Sequence, residues 1–273
     1  MTLATAAQTG QDAQMQAMPR PTATGGATPG ICSVCEQAQV FLPSTGAARD
    51  GYACGACGAT LRDRDQAQAI LALLGRGQHL SLQSLVQAVR AAGKNLTILE
   101  MAYSSVFSTI LGLLPGYHQA YHWTDRRQSG KIGGRDVPFG DLQSLEFPDN
   151  SFDLVLTSDV LPFVQDDNRA QQEVLRILRP GGAHIAAIQM DWPFPPTTRQ
   201  HYDTRDGART PLAEEKFFRS PDGAQLPLMR RYGLDLKPQL EAMGYAVWLR
   251  RSSFLDPLGR RNVTLLAVKA RTA

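Results

Sequence analysis

The chain has 273 residues, of which 43% are hydrophobic and 19% charged, and its formal net charge is +3. This composition allows a full hydrophobic core and one small additional module. The apolar runs are shorter than the roughly 20 residues that a membrane-spanning helix needs. The positive charge is mild and comes in scattered arginine pairs, so it neither requires nor excludes a nucleic-acid partner. We therefore expect a soluble, globular protein without a membrane segment.

The first 30 residues are rich in Ala, Gln, Thr, Gly and Pro. They have neither the basic start nor the apolar stretch of a secretion signal, and such a composition favours disorder. We predict a disordered leader over residues 1–30 and a cytoplasmic location.

All four cysteines follow the leader in two CxxC pairs, CSVC and CGAC, which residues 36–53 separate. Two such pairs at this distance are typical of tetrahedral zinc, because each turn offers two thiolates to one ion. Four thiolates leave no open position for water, so the metal is expected to be structural, in a module that docks a substrate or a partner. The predicted ligands are Cys32, Cys35, Cys54 and Cys57, in a zinc knuckle over residues 31–60.

The same four cysteines could instead form two disulfides or two redox-active CxxC motifs. The lack of a secretion signal disfavours disulfides. The lack of a thioredoxin-like βαβ unit around either pair disfavours redox motifs. Glycines at 55 and 58 favour the metal, since they let backbone amides approach the sulfur atoms.

Two amphipathic helices are predicted after the knuckle, over residues 60–74 and 81–93, and they form a linking region over residues 61–93. From residue 94 to residue 273, strands and helices alternate. Strands are predicted at 96–101, 120–125, 152–158 and 183–190, and helices at about 104–114, 168–178 and 234–244. The last two runs, at 245–254 and 262–269, suit an antiparallel hairpin. This order predicts an α/β fold with a mainly parallel sheet covered on both faces.

The run from residue 141 to residue 188, DLQSLEFPDNSFDLVLTSDVLPFVQDDNRAQQEVLRILRPGGAHIAAI, resembles the class I S-adenosylmethionine-dependent methyltransferase family. The likeness is strongest to its bacterial group with an N-terminal cysteine knuckle. The segment RRYGLDLKPQLEAMGYAVWL resembles the final helix and hairpin of that family. The resemblance covers roughly residues 95–270, and it implies a Rossmann-like sheet, preceded here by a small zinc-ribbon module.

The resemblance implies S-adenosylmethionine as cofactor, held by Glu100, Ala102, Asp125, Asp141, Leu142 and Ser158. Glu100 ends the first strand and would face the amino group of the methionine moiety, and Ala102 lies in the following turn. Asp125 would reach the ribose hydroxyls. Asp141 and the amide of Leu142 would contact the adenine, and Ser158 would border the transferred methyl group.

Two features depart from the family pattern. The turn after the first strand usually contains glycines, but here it is MAYSS, with Tyr103 and Val106 where space is normally left. Pro162 and Phe163 replace a usual acidic residue and histidine of the acceptor pocket. Either the acceptor differs from that of the family, or methyl transfer has been lost.

The segment RQHYDTRDGAR resembles a lid insertion that covers the acceptor site in the family. Its polar residues His201, Tyr202 and Asp203 are the predicted catalytic group, with His201 able to accept a proton near neutral pH. The alternative is a surface loop in which His201 only hydrogen-bonds its neighbours.

Three functions remain open. The first is methyl transfer to a small-molecule, natural-product or glycan acceptor. The second is a catalytically silent or repurposed protein that binds a ligand or performs other chemistry. The third is a ribosomal RNA methyltransferase, although the basic residues form no continuous stripe and the knuckle has no interleaved aromatic residues. The acceptor and the oligomeric state do not follow from the sequence.

Overall fold

The computed structural model describes residues 27–43, 50–103, 105–122, 130–132, 135–255 and 260–271. Most of the predicted leader, and Asp125, therefore lie outside the described residues. Within the described part of the chain, no helix has the length and apolar character that crossing a membrane requires.

The cysteine module, which we define as residues 28–59, begins with a two-stranded antiparallel sheet. Its strands are β1 (Thr28–Ile31) and β2 (Ala38–Phe41). Strand β1 starts three residues before the predicted beginning of the knuckle. The two CxxC turns have the same backbone design, since the amide of Glu36 donates to the carbonyl of Cys32 and the amide of Gly58 donates to that of Cys54, each at 2.8 Å.

Two helices follow the module, α1 (Leu61–Leu74) and α2 (Leu82–Ala91), as the periodicity predicts. Each begins with a capping box, formed by Thr60 with Asp63 in α1 and by Ser81 with Ser84 in α2. Apolar residues of the module and of both helices join residues of the central sheet in one buried cluster. The module and the linking helices are therefore packed on the sheet as part of its core.

The central sheet has six strands in the order β15-β16-β8-β7-β3-β4. Neighbours among β3, β4, β7 and β8 are parallel, and β16 and β15 are added antiparallel, which confirms the predicted fold class. The strands are β3 (Ile98–Met101), β4 (Tyr117–Ala120), β7 (Phe152–Ser158), β8 (Leu178–Asp191), β15 (Tyr245–Leu255) and β16 (Arg260–Lys269). Three further helices contribute to the domain: α3 (Val106–Ile110), α4 (Asp167–Ile177) and α5 (Leu236–Ala242).

The chain reverses its direction across the sheet at β3. It passes from β3 to β4 on one side and then crosses to β7 on the other side of β3. All four residues of β3 are buried, as expected for a central parallel strand. Ligands of such sheets bind at the carboxyl ends of the strands where the order reverses, so β3 and β7 define the expected site.

The prediction of the second strand was wrong in position. Strand β4 covers Tyr117–Ala120, and Tyr121 makes only an isolated parallel bridge with Phe139. Gly116 explains part of the difference, because a Cβ there would lie 2.5 Å from the carbonyl oxygen of Leu96, so this position packs tightly at the start of the strand. The apolar pattern alone did not show that the strand begins there.

The remaining strands are short and lie outside the central sheet. A hairpin, β5 (Gly130–Ile132) with β6 (Arg135–Val137), precedes β7. Residues 199–231, which we call the lid, connect β8 to α5 and contain six short strands: β9 (Arg199–Gln200), β10 (Tyr202–Asp203), β11 (Thr210–Pro211), β12 (Phe217–Arg219), β13 (Gln225–Pro227) and β14 (Arg230–Arg231).

Candidate functional site

A cavity of about 1250 Å³ lies at the carboxyl ends of β3 and β7. Its walls come from the turns after these strands, the residues after β4, residues 140–143 before β7, the cysteine module with the start of α1, and the lid. Typical small-molecule sites occupy roughly 300–1,000 Å³. This cavity is therefore large enough for a cofactor and a second small molecule side by side.

The backbone conformation of the turn after β3 explains why its residues need not be glycine. From Met101 to Tyr103 no residue has a positive φ. Gln119, on β4, fixes the turn because its side-chain amide donates to the carbonyls of Ala102 and Tyr103, at 3.0 and 3.1 Å. The amide of Ala102 donates to the carbonyl of Ala120. Side-chain hydrogen bonds hold this turn in a conformation that ordinary residues adopt.

Residues larger than glycine form the wall at this turn. Ala102, Tyr103 and Val106 all line the cavity. The ring of Tyr103 contacts that of Tyr121 edge to face, with centroids 5.2 Å apart. The turn is thus compatible with a cavity, but the cavity has an aromatic wall where the family pattern leaves open space.

Glu100 does not lie on the cavity wall. It is 2% exposed, and its Oε2 accepts a hydrogen bond from the Tyr117 hydroxyl at 2.5 Å. Burial raises the pKa of Glu100, although hydrogen bonds from Ser105 and Tyr117 oppose that effect. Its predicted direct contact with a ligand amino group is not supported by this position, because the side chain lies behind the turn. Asp63, at the start of α1, is an acidic residue that does line the cavity.

Asp141, Leu142 and Ser158 line the cavity as predicted from the resemblance. Asp141 is held in place by Gln143, whose backbone amide donates to Oδ1 at 2.9 Å. Gly140 permits this placement, since a Cβ there would lie 2.8 Å from the Cβ of Ala120. The structure therefore brings together four of the six predicted cofactor residues, while Glu100 lies behind the wall and Asp125 lies outside the described residues.

The wall formed by α1 is a feature that sequence reasoning missed. Arg62 pairs with Asp159, just after β7, with Nη1 to Oδ2 at 2.9 Å. Gln66 is fully buried, accepts a hydrogen bond from the Ser158 hydroxyl at 2.6 Å and donates to the carbonyl of Thr157 at 3.0 Å. The only sequence signal is a polar glutamine on the apolar face of a helix. These contacts attach α1 directly to the carboxyl end of β7.

The four cysteines form a compact cluster. Their Sγ atoms all lie within 4.8 Å of one another, with Cys32 and Cys57 at 3.7 Å and Cys35 and Cys54 at 3.6 Å. A tetrahedral ion with Zn–S bonds of about 2.3 Å would separate its sulfur ligands by roughly 3.8 Å. The donor set therefore fits a structural zinc ion.

The cluster is also part of the site. Cys57 and its neighbour Ala56 line the cavity, which places the predicted metal module in the wall. Arg64 stacks on the ring of Phe41 at 3.5 Å and donates to the carbonyl of Tyr52. The pKa of Arg64 is lowered by burial, and the nearby cysteines Cys32 and Cys54 act against this effect when they are ionised. Arg64 is thus positioned to balance the negative charge of a four-thiolate zinc site.

The lid closes the opposite side of the cavity. Phe218 packs edge to face against Phe163, with ring centroids 5.4 Å apart, and both residues line the cavity. Met229 donates its amide to the carbonyl of Pro162, and Arg230, which is 2% exposed, donates to the carbonyls of residues 161, 164 and 165. Pro162 and Phe163, which depart from the family pattern, therefore form an apolar wall that contacts the lid through ring packing and backbone hydrogen bonds.

The predicted catalytic group does not line this cavity. His201 is 3% exposed and faces a separate, smaller pocket. Tyr202 is buried, and Asp203 pairs with Arg205 at 2.5 Å on the protein surface. His201 lies in the bend between β9 and β10, and Tyr202 and Asp203 form β10, so the three consecutive residues do not share one face. The lid itself contributes to the cavity, but through its later residues.

The cavity contains other titratable residues, including Tyr103, Tyr121, Asp159 and His122. Among the described lining residues, His122 is the single histidine. It lies just after β4 and packs against Phe139. Sequence reasoning did not select His122, because no motif marks this position and only the fold brings it to the cavity wall.

Residues 91–186 match the family model described as "Methyltransferase domain". The chain is 37% identical over 81 residues to the "Ubiquinone/menaquinone biosynthesis C-methyltransferase UbiE" of Hahella chejuensis, covering 29% of this chain and 32% of that protein. An uncharacterized methyltransferase of Schizosaccharomyces pombe is 36% identical over 70 residues, covering 26% of this chain and 25% of that protein. The chain thus spans about a third or less of these relatives.

Solved structures of methyltransferases are similar at lower identity. One is a SAM-dependent methyltransferase from Methanosarcina mazei, with 18% identity, coverage of 68% of this chain and 98% of that one, and a TM-score of 0.43. Another is the 1,6-didemethyltoxoflavin-N1-methyltransferase of Burkholderia thailandensis, with 13% identity, coverage of 89% and 100%, and a TM-score of 0.41.

Proposed function

We propose that this chain, which belongs to the class I S-adenosylmethionine-dependent methyltransferases, transfers a methyl group from S-adenosylmethionine to a small molecule with an apolar, planar body. The observation that carries the proposal is the cavity at the carboxyl ends of β3 and β7, inside and beside the segment that matches the methyltransferase-domain model. Its volume accommodates a cofactor and an acceptor together.

The cofactor would lie against the turns after β3 and β7. Asp141 and the amide of Leu142, in the segment before β7, would receive the adenine, and Ala102 and Ser158 would border the methionine end; all four residues line the cavity. When bound, the cofactor would supply a methyl group from its sulfonium, with S-adenosylhomocysteine as the neutral leaving group. The protein contributes position, because an in-line displacement is accelerated mainly by holding the two reacting atoms in alignment.

The acceptor would lie against the lid. Phe163 and Phe218 offer aromatic surfaces there, and Pro162 and Leu226 add apolar surface. Aromatic walls bind planar, apolar bodies well, whereas a glycan needs many hydrogen-bonding partners. The C-methyltransferases named among the relatives act in quinone biosynthesis by their description, which agrees with a planar acceptor.

A base is needed only if the acceptor arrives protonated. His122 is exposed and is the one imidazole among the described lining residues, so we propose it for this role. This assignment replaces His201, which faces another pocket.

The first test is calorimetric titration of the zinc-loaded protein with S-adenosylmethionine and S-adenosylhomocysteine. We expect micromolar binding that Asp141→Ala weakens by roughly tenfold. Asp149→Ala is the matched control, since Asp149 is exposed and pairs with Arg176 on the surface. An acceptor screen with planar hydroxyaromatic compounds then follows methyl incorporation by mass spectrometry.

A catalytically silent binding protein remains the second candidate, and the aromatic wall at Tyr103 favours it. Folded protein that binds neither cofactor form would contradict methyl transfer and leave this second candidate. Binding of the cofactor with unchanged affinity in Asp141→Ala would contradict the proposed position of the adenine.

A further inference from the structure

A second, smaller pocket lies on the lid beside the large cavity. It has a volume of about 280 Å³ and is lined by Asp191, Arg199, His201, Ala213, Glu214, Lys216 and Arg231. Three of these residues are cationic and two are acidic. Arg231 already pairs with Asp191 at 3.2 Å, so the other charged side chains of the lining are Arg199, Lys216 and the exposed Glu214.

His201 is the central feature of this pocket, which we call the basic pocket. The residue is 3% exposed, and neither ring nitrogen makes a well-formed hydrogen bond with the described residues, although the main chain of Glu214 lies close enough to act on the ring. Its backbone is fixed, because its amide donates to the carbonyl of Met229 and its carbonyl accepts from Leu212. A buried imidazole is normally hydrogen-bonded, so an orphaned ring that lines a pocket indicates a missing partner.

The charges around the ring identify the chemistry of that partner. Burial lowers the pKa of His201, and Arg199 and Arg231 lower it further, whereas a hydrogen-bonding contact with the Glu214 main chain raises it. The ring is therefore neutral near pH 7, with one N–H that can donate. Arginine and lysine side chains around a buried N–H donor suit an oxyanion such as phosphate or carboxylate.

We propose that the basic pocket binds an oxyanion, a phosphate or a carboxylate group, through Arg199, Lys216, Arg231 and the ring N–H of His201. The pocket is too small for a complete substrate, but it holds a single anionic group. His201 then has a binding role in place of the catalytic role that the sequence suggested.

Arg231 lines both the basic pocket and the large cavity. A ligand that occupies the cavity thus has an adjacent site for a terminal anion. We therefore infer that the anion is a terminal group of the acceptor molecule. This inference about the source of the anion rests on the proposed function. The existence of the anion site does not rest on it.

The test uses full-length protein with ¹⁵N-labelled histidine and follows the His201 ring by nuclear magnetic resonance. His201→Gln assigns the signal among the five histidines. Inorganic phosphate is titrated at pH 7.5 and compared with potassium chloride at the same ionic strength, since chloride reports simple screening. We expect the His201 signal to shift with phosphate in a saturable way and to remain fixed in chloride.

The double variant Arg199→Ala/Lys216→Ala should weaken phosphate binding at least roughly tenfold, because two charge-assisted contacts are lost. Arg205→Ala is the matched control on the same lid, since Arg205 is exposed and pairs with Asp203. Phosphate that fails to shift the His201 signal overturns the proposal. Equal binding by the double variant also overturns it, because the ion would then be adventitious.

The source of the anion is tested separately with phenyl phosphate and benzoate, each compared with phosphate or acetate. Tighter binding of the aromatic probes, lost in Phe218→Ala, supports an acceptor that spans the cavity and the basic pocket. Equal binding of aromatic and inorganic anions overturns the assignment to the acceptor and leaves the anion site intact. Failure of the methyl-transfer assay alone would leave the anion site intact and would overturn only the assignment of the anion to an acceptor.

Discussion

The cavity has two walls that are built in different ways. On the side of the cysteine module, α1 contacts the end of β7 through Gln66, which is fully buried, and through the ion pair of Arg62 with Asp159. On the side of the lid, the short strand β12 carries exposed side chains, Phe217 at 50% and Phe218 at 40%, although other lid residues such as Arg230 are buried. The first wall is part of the core, and the second is attached to the core along one edge.

We infer from this difference that the two walls bind different ligands. Buried, fully hydrogen-bonded contacts hold a site to a fixed geometry, which suits a constant ligand such as a cofactor. Short, exposed elements have fewer buried contacts and open at lower free energy, which suits a variable ligand and its entry. We therefore expect damage to the module wall to affect stability and cofactor affinity together, and changes in the lid to affect the acceptor alone.

The largest effect is expected from loss of the metal. Cys54→Ser, or removal of zinc by a chelator, should lower the free energy of unfolding by at least about 3 kcal/mol, since structural zinc contributes directly to folding. It should also weaken binding of S-adenosylhomocysteine more than roughly 100-fold, because Cys57 and α1 form part of the wall. Chemical denaturation, zinc analysis and calorimetry measure these effects. Full cofactor affinity in zinc-free, folded protein would contradict the conclusion that the cysteine module forms part of the cofactor site.

A smaller effect is expected at the contact between α1 and β7. Gln66→Leu leaves the carbonyl of Thr157 and the hydroxyl of Ser158 without their partner, which costs about 1–3 kcal/mol. Cofactor affinity should fall roughly tenfold, since Ser158 lines the cavity. Gln68→Leu is the matched control, because Gln68 lies on the same helix and is exposed. Equal affinities of the two variants would show that this contact does not shape the cofactor site.

The lid should respond in the opposite way. Phe218→Ala removes an aromatic surface from the cavity, and we expect the affinity for an aromatic acceptor or for phenyl phosphate to fall about tenfold. Stability should change by less than about 1 kcal/mol, since the side chain is 40% exposed. Cofactor affinity should stay within about twofold of the wild-type value.

Phe217→Ala is the control for this variant, because Phe217 is the neighbouring residue, is 50% exposed and is not part of the described cavity lining. A loss of cofactor affinity in Phe218→Ala, with none in Phe217→Ala, would show that the lid also binds the cofactor. The two walls would then share their ligands.

Local patterns in the sequence predicted most of the fold. The run FDLVLTS forms β7 over the predicted residues, and the two capping boxes mark the starts of α1 and α2. These features depend on a few neighbouring residues. The start of β4 depends instead on the close approach of Gly116 to Leu96, which is a tertiary contact that a linear pattern does not contain.

The site was predicted less completely, for the same reason. Asp141 and Ser158 were predicted from the family resemblance, and both line the cavity. Gln66 and Arg62 reach the site because α1 packs on the end of β7. Their partners Thr157 and Asp159 lie 91 and 97 positions further along the chain. His201 was assigned from its residue type, but the direction of its side chain depends on the pairing of short lid strands. Long-range packing therefore decided the residues that sequence reasoning missed.

The smallest expected effect is a change of stability with pH. A carboxylate on α1 titrates in the relevant pH range, whereas a carboxylate on the lid does not. Asp65 lies on α1 and accepts a hydrogen bond from Asn262 at 3.0 Å. Burial raises its pKa to about 6, although Asn262 and Arg250 act to lower it. On the lid, Asp203 has its pKa lowered to about 2 by hydrogen bonds from Arg205, so it stays ionised throughout the same range.

The raised pKa of Asp65 means that the folded protein binds a proton more tightly there than the unfolded chain does. Between the unfolded value of 3.8 and the folded value of about 6, the folded state holds more protons, so stability falls as pH rises through this window. We expect wild-type protein to lose about 1 kcal/mol from this residue between pH 5 and pH 7.5. Denaturation curves of wild type and Asp65→Asn isolate the effect, because all other groups titrate in both. Parallel pH profiles of unfolding free energy in the two proteins would mean that Asp65 is hydrated in the folded state. Helix α1 would then be held on the sheet less tightly than the buried contacts of Gln66 require.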